Sequence, residues 1–207
     1  MWFPLSRPAP LTISLLFLAP LPGCSGASSE SGDSADTASS GLPEASTTFY
    51  IGTSDGQTPD GGYVAPTEEL LFIRALDPAA STITEQVWSV GERNTVTAYE
   101  LVHAVDVAAG TFTSTWVTDD GTILVDGAYD AGADWAWTAW HSTSVYQDGA
   151  NAGLRVESVD HIEDSGVAFA EKVVYDAGGA ETYQIVEELT PCSQDDFEEE
   201  FAAVGAT

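Results

Sequence analysis

The sequence predicts an all-β domain, an antiparallel up-and-down meander closing into a barrel of about eight to ten strands with a short C-terminal helix. Three observations carry that prediction. From residue 48 onward the chain is a series of β-branched and aromatic runs broken by Asp and Gly. The breaks are regular: Gly110, Gly121 and Gly132 stand eleven residues apart, and Gly166 and Gly178 stand twelve apart, a spacing of short strands joined by tight turns. Several runs are apolar on both faces, which suits a barrel with a filled or ligand-holding interior and a partly covered exterior.

The strand runs, in order, are 48–52, 68–76, 81–90, 95–107, 111–118, 122–130, 134–143, 153–162, 167–175 and 180–189. Turn chemistry separates them. Asp119-Asp120-Gly121 and Asp176-Ala177-Gly178-Gly179 supply residues that tolerate positive φ. In 167–175, Val167, Phe169, Glu171, Val173 and Tyr175 share one face, and Ala168, Ala170, Lys172 and Val174 share the other. In 134–143, Trp135, Trp137 and His141 share one face and Ala136, Thr138 and Trp140 the other. Pro191 should end the last strand. Ser193 is placed to cap a helix over 193–203, Asp195 and Asp196 sit where its dipole favours negative charge, and Phe197, Phe201 and Val204 recur at helical spacing. That helix is expected to lay its two phenylalanines across the barrel wall or over one end.

Ahead of the barrel the chain has two further parts. Residues 1–23 hold no acid and one cation, Arg7, with an apolar stretch through Leu11, Ile13, Leu15, Leu16, Phe17, Leu18 and Leu21 that is short for a bilayer span. They read as a signal peptide. Residues 24–47 are rich in Ser, Ala, Gly, Asp and Glu, with Leu42 the one large aliphatic residue. Such a segment buries too little apolar area to offset chain entropy, and it reads as a flexible acidic tether with a span of roughly 25 Å. The barrel domain is then 48–207.

The signal stretch closes on Leu21-Pro22-Gly23-Cys24. This resembles the lipobox of bacterial lipoproteins, where a Leu three residues before the cysteine and a small residue directly before it mark the cleavage site. The resemblance implies that Cys24 becomes the mature N-terminus and carries a thioether-linked diacylglycerol, with a further acyl chain such as palmitate on its amine. At about 0.8 kcal/mol per buried methylene, two chains already give stable anchoring, so the expected membrane partner is reached through the lipid on Cys24. Ser25 follows that cysteine where, in Gram-negative sorting, an Asp would signal inner-membrane retention, so the resemblance implies the cell envelope and its outer membrane.

Charge excludes one class of function. Beyond residue 23 four cations (Arg74, Arg93, Arg155 and Lys172) face 33 acids, a formal charge of −29. A field of that sign repels phosphate backbones and anionic headgroups, so no nucleic-acid role is expected. With Cys24 lipidated, Cys192 has no partner in the chain for a disulfide and reads as a structural thiol.

No Gly-x-Ser-x-Gly elbow, His-Glu-x-x-His motif or phosphate-binding Gly-rich loop occurs. We therefore expect no catalytic residues, cofactor or metal. His103, His141 and His161 lie on three different strands and would have to converge inside the barrel to bind a metal. The Asp-Gly turns at 118–121 and 147–151 read as hairpin chemistry rather than calcium loops. The candidate ligand-binding residues are Trp135, Trp137 and His141, whose broad side chains suit a pocket wall, and the scarce cations Arg155 and Lys172, either of which would pair with a carboxylate or an anionic headgroup if it points inward.

The meander with a terminal helix resembles the lipocalin and fatty-acid-binding superfamily, the calycin barrels. The lipocalin Gly-x-Trp signature is absent from Thr48-Phe49-Tyr50-Ile51-Gly52, so no ligand-binding residue is carried over from that family. The resulting expectation is a non-enzymatic, membrane-anchored barrel that binds or carries a small apolar or amphipathic molecule. The alternatives are a structural or protein-interaction module of the envelope, with another envelope protein as partner, and an enzyme using His141 with Glu171 as an acid and base pair.

Overall fold

The computed structural model describes residues 44–60, 62, 67–91, 96–118, 121–129, 135 and 138–205. The signal stretch, Cys24, the tether up to residue 43 and Trp137 lie outside them. Ten strands follow one another as β1 (Ser46–Gln57), β2 (Glu68–Asp77), β3 (Thr82–Val90), β4 (Val96–Asp106), β5 (Thr111–Thr118), β6 (Gly121–Tyr129), β7 (Ala139–Tyr146), β8 (Arg155–Ile162), β9 (Ala168–Tyr175) and β10 (Glu181–Cys192), and α1 spans Gln194–Gly205. Every strand pairs antiparallel with its chain neighbours, and β10 returns to pair with β1, so the meander closes on itself.

Register divides each strand into a lumen face and an outer face. Arg74 stands opposite Glu85 and Phe72 opposite Val87; Ile83 faces His103, Val105 faces Phe112, and Phe112 faces Gly127. Tyr129 faces Trp140, Trp140 faces Asp160, Ser158 faces Lys172, and Ala168 faces Leu189. These residues form the interior. The opposite face carries Asp55, Glu69, Glu100, Asp106, Asp126, Glu157, Glu171 and Glu188 by the same alternation, so the acidic charge sits largely outside, where water solvates it.

Two apolar clusters fill parts of the interior. Ile83, Val105, Phe112, Ile123, Val125, Tyr129 and Trp135 make one. Tyr50, Leu70, Val87, Ala168 and Leu189 make the other. Between β5 and β6 the ring of Phe112 occupies the space that a side chain at Gly127 would need, since a Cβ there would lie 2.1 Å from Phe112 Cζ.

The helix docks as its pattern predicts, on the outer wall. Phe197 packs against Phe49 with ring centroids 5.4 Å apart, and Trp88 meets Phe201 at 5.2 Å. Its start is capped reciprocally: the backbone N–H of Asp196 donates to Ser193 Oγ at 3.1 Å, and that hydroxyl donates to Asp196 Oδ2 at 2.6 Å. Leu71, on the outer face of β2, is buried although it points away from the lumen. The helix therefore explains why the early strands are apolar on both sides.

Two expectations need correction. The run 134–143 is not one strand: β7 begins at Ala139, and Trp135 has a φ of 60°, the left-handed region that breaks extended backbone. Nor does Pro191 end the last strand, because β10 continues to Cys192 with Tyr50 opposite Pro191. The pairing with β9 has stopped at Leu189 by then, so the missing N–H of the proline falls where one side of β10 has no neighbour to bond.

Aspartates hold the turns. Asp176 Oδ1 accepts from the N–H groups of Gly178 and Ala180 at 2.9 and 2.8 Å. Asp148 accepts from the Thr122 N–H at 2.7 Å and its hydroxyl at 3.2 Å, tying the β7–β8 turn to the start of β6.

Candidate functional site

Charged groups project into the lumen from β2, β3, β8, β9 and β10. Arg74, from β2, ion-pairs with Glu85 of β3 at 3.1 Å. His103 of β4 places Nε2 3.3 Å from the other oxygen of the same carboxylate. Burial alone would raise the Glu85 carboxyl, but Arg74 and His103 together bring it down to about 2. A second pair forms beyond β1, where Lys172 Nζ of β9 donates to Glu187 Oε1 of β10 at 2.6 Å. Burial would lower this ammonium, yet the adjacent carboxylate outweighs it and holds Lys172 above its ordinary value.

The two sides are joined across the barrel. β2 and β7 are diametrically opposed in the ring of ten strands, and the Arg74 guanidinium lies 4.1 Å from the centroid of the Trp140 ring. Trp140 stands opposite Asp160, whose Oδ2 accepts from Ser158 Oγ at 2.7 Å. Ser158 in turn faces Lys172. A polar belt thus runs His103, Glu85, Arg74, Trp140, Asp160, Ser158, Lys172, Glu187. Burial pushes the Asp160 carboxyl up to about 6, only partly offset by the Ser158 hydrogen bond and by Lys172. Tyr99, also lumen-facing, is pushed up to about 12 by burial.

Two polar atoms beside this belt are buried without a hydrogen-bond partner among the described residues: His103 Nδ1 and Ser114 Oγ, on residues 5% and 7% exposed. They mark a break in the wall. The β4–β5 ladder has only the pairs Ala104–Thr113, Val105–Phe112 and Asp106–Thr111, although β4 extends back to Val96 and β5 forward to Thr118. Extending that register one step would set His103 opposite Ser114, and there the strands part. Across the seam the rings of Tyr99 and Trp116 meet at 4.7 Å. Its outer side presents Val102 at 50% and Val117 at 74% exposure.

The β7–β8 ribbon borders a cavity of about 520 Å³. Four lining residues, Trp140, Ser142, Ser158 and Asp160, are on the lumen face, and six, Ala139, His141, Thr143, Glu157, Val159 and His161, are on the outer face of the same two strands.

The residues singled out from sequence fall in different places. Lys172 is in the lumen. Arg155 is on the outer face, 3.4 Å from Glu157 and stacked over Tyr175 at 4.4 Å. Trp135 is buried in the apolar cluster, with its Nε1 unpartnered among the described residues. His141 of β7 and Glu171 of β9 are exposed on the outer wall, each standing opposite Val159 of the intervening β8. His103 points inward while His141 and His161 point outward, and the three histidines do not converge.

Sequence reasoning missed Arg74, Glu85, Asp160 and Glu187. A signal for the first existed: Arg74 alternates with Leu70, Phe72 and Leu76, and a cation on an apolar strand face is a candidate interior charge. The chain matches no protein-family model, and no curated protein sequence is significantly similar to it.

Proposed function

We propose that the protein is a lipid-anchored barrel of the bacterial cell envelope that binds or carries a small amphipathic molecule in its lumen. The observation that carries this reading is the polar belt set between two apolar clusters. Buried ion pairs contribute less to stability than well-packed apolar residues of similar volume, so a barrel selected only to be a closed wall gains nothing from the five charges of this belt. A ligand with an apolar body and a polar end has use for both surfaces.

The lipobox at Leu21–Cys24 supports anchoring through Cys24, and Ser25 supports the outer membrane as its address. On this reading the protein is not an enzyme, and the anchor keeps the barrel at the membrane where amphiphiles are exchanged. A second reading, a protein-interaction module, draws on the exposed Val102 and Val117 beside the β4–β5 seam, since apolar residues next to unpaired strand segments favour protein contact.

Native mass spectrometry of the full chain, purified under mild conditions from its own envelope, tests the first reading. A co-purifying small molecule of defined mass is the expected result. An apo mass, with no change of tryptophan fluorescence on adding amphiphiles, would overturn it, and a stable envelope partner recovered by crosslinking would then support the second.

A further inference from the structure

Where the ladder between β4 and β5 stops, it leaves two buried polar side chains unmet. Its last steps are Val105–Phe112 and Ala104–Thr113, and the same register carried one residue further sets His103 opposite Ser114. Both turn to the lumen: His103 stands opposite Ile83, and Ser114 alternates with Phe112. Both residues are more than nine-tenths buried, and His103 Nδ1 and Ser114 Oγ have no hydrogen-bond partner among the described residues. A buried polar atom left unmet costs stability, and one group seated between these two would satisfy both. Past this point the strands make no ladder pairs, so the position lies at the end of an opening in the wall and not within closed sheet.

The chemistry of that group follows from the atoms it would meet. His103 Nε2 lies 3.3 Å from Glu85 Oε2, and Arg74 already supplies the counter-charge of that carboxylate, 3.1 Å from its other oxygen. With the ring proton on Nε2, donated to the carboxylate, the neutral imidazole has a bare lone pair on Nδ1 that calls for a donor. Ser114 Oγ both donates and accepts. The flanks are apolar: Phe112 meets the His103 ring edge-on at 5.1 Å, and the Tyr99 and Trp116 rings lie 4.7 Å apart across the seam. From this juxtaposition we infer that the lumen takes an uncharged amphiphile whose terminal hydroxyl sits at the end of the β4–β5 ladder, donating to His103 Nδ1 and accepting from the Ser114 hydroxyl. The inference rests on the carrier reading above and names the polar end of its ligand. An ionised carboxylate has no proton to give Nδ1. An ammonium would find Glu85 already shared by Arg74 and His103. A hydroxyl meets one acceptor and one hydroxyl and buries no further charge.

The test is isothermal titration of the full chain with three probes of equal chain length, decanol, decyl methyl ether and decanoate, in about 0.2 M salt to screen the outer charges, joined to nitrogen NMR of the histidine rings, of which the chain has three. Decanol should bind about tenfold more tightly than the ether, which accepts a hydrogen bond but cannot donate one, and more tightly than decanoate. It should shift the His103 Nδ1 resonance, and the ether should not. Ser114→Ala should lower decanol affinity by about two- to tenfold. Ether or decanoate binding as tightly as decanol would overturn the hydroxyl assignment and leave the carrier reading standing. Decanol bound without a shift at His103 Nδ1 would overturn the site, the two atoms then sharing at most a buried water, and an unchanged decanol affinity in Ser114→Ala would overturn it as well. If none of the three probes binds, the carrier reading itself fails. Should Ser114→Ala not fold, the His103 Nδ1 resonance of the wild-type chain decides alone.

Discussion

Arg74 reaches across the barrel to lie 4.1 Å from the ring centroid of Trp140, on the strand diametrically opposite its own. That contact makes the guanidinium a strut between two walls as well as the partner of Glu85, and its position depends on the carboxylate that holds its other side. Glu85→Gln would leave Arg74 and His103 as buried cationic and polar groups without their counter-charge. Removing one partner of a buried pair typically costs about 3–5 kcal/mol. Urea unfolding of Glu85→Gln at neutral pH should therefore show a loss of that order, and a loss under about 1 kcal/mol would mean that the belt does not hold the walls together.

The same carboxylate sets an acid limit. Its folded value is brought down to about 2 from an ordinary 4.5, so the stabilisation it provides is fully present above about pH 4.5 and is lost as pH falls through about 2. Unfolding free energy measured between pH 5 and pH 2 should fall by about 2–3 kcal/mol more in wild type than in Glu85→Gln. Parallel acid limbs in the two proteins would contradict the assignment.

Asp160 works in the opposite sense. Burial raises its carboxyl from 3.8 to about 6, so between those values the folded state binds more protons than the unfolded one and stability falls as pH rises. Above about pH 6 the ionised group is a cost, and below about pH 4 that cost is gone. Asp160→Asn should accordingly raise the unfolding free energy by about 1–2 kcal/mol at pH 7.5 and change little at pH 4. A destabilised variant at pH 7.5 would show that the carboxylate supports the fold. A stabilised one fits a group retained for binding at the expense of stability.

Much of the barrel is legible in the sequence because alternation and turn chemistry agree locally. Thr111–Thr118 emerges with the bounds that its β-branched residues and flanking turns indicate. β1 extends past Gly52, where a strand end was expected, to Gln57. Gly52 faces the lumen beside β10, and a Cβ there would lie 2.0 Å from the Glu188 carbonyl oxygen, so this glycine permits close approach within a strand instead of ending one. The alternating tryptophans of 134–143 imitate a strand, but the left-handed backbone at Trp135 is a tertiary choice that periodicity does not encode. The lumen belt was only partly readable. Scarcity of cations pointed to Lys172 and Arg155 alike, and nothing local separates them, because both alternate with apolar neighbours and only the register shows that one faces in and the other out. Arg74 was concealed because α1 covers the outer side of its sheet and makes both faces of β2 apolar.

That covering helix has one principal contact point. Phe197 is 4% exposed and meets Phe49 and Trp88, whereas Phe201 is 36% exposed at the edge of the same patch. Phe197→Ala should cost about 3–5 kcal/mol, the range for a buried aromatic ring, and Phe201→Ala clearly less. Equal costs, read from chemical denaturation of both variants, would mean that the helix is held by its termini rather than by this aromatic contact.

The seam between β4 and β5 makes the finest-grained prediction. Along an antiparallel strand, backbone N–H groups point alternately to the two neighbouring strands. β4 is fully paired with β3 from Val90–Val96 to Thr82–Ala104, but pairs with β5 only at Ala104, Val105 and Asp106. Within 96–103 the amides directed at β3 should therefore be protected from hydrogen exchange, and the alternate ones, directed at β5, should exchange orders of magnitude faster. On β5 the same contrast should appear in 114–118, with slow amides facing β6 and fast ones facing the seam. Residue-resolved exchange by NMR reads this directly. Uniform slow exchange along both strands would mean that the ladder closes in solution and that Tyr99 and Trp116 pack over a continuous wall. An alternating pattern that becomes uniform when an amphiphile is added would identify the seam as the part of the barrel wall that responds to what the lumen holds.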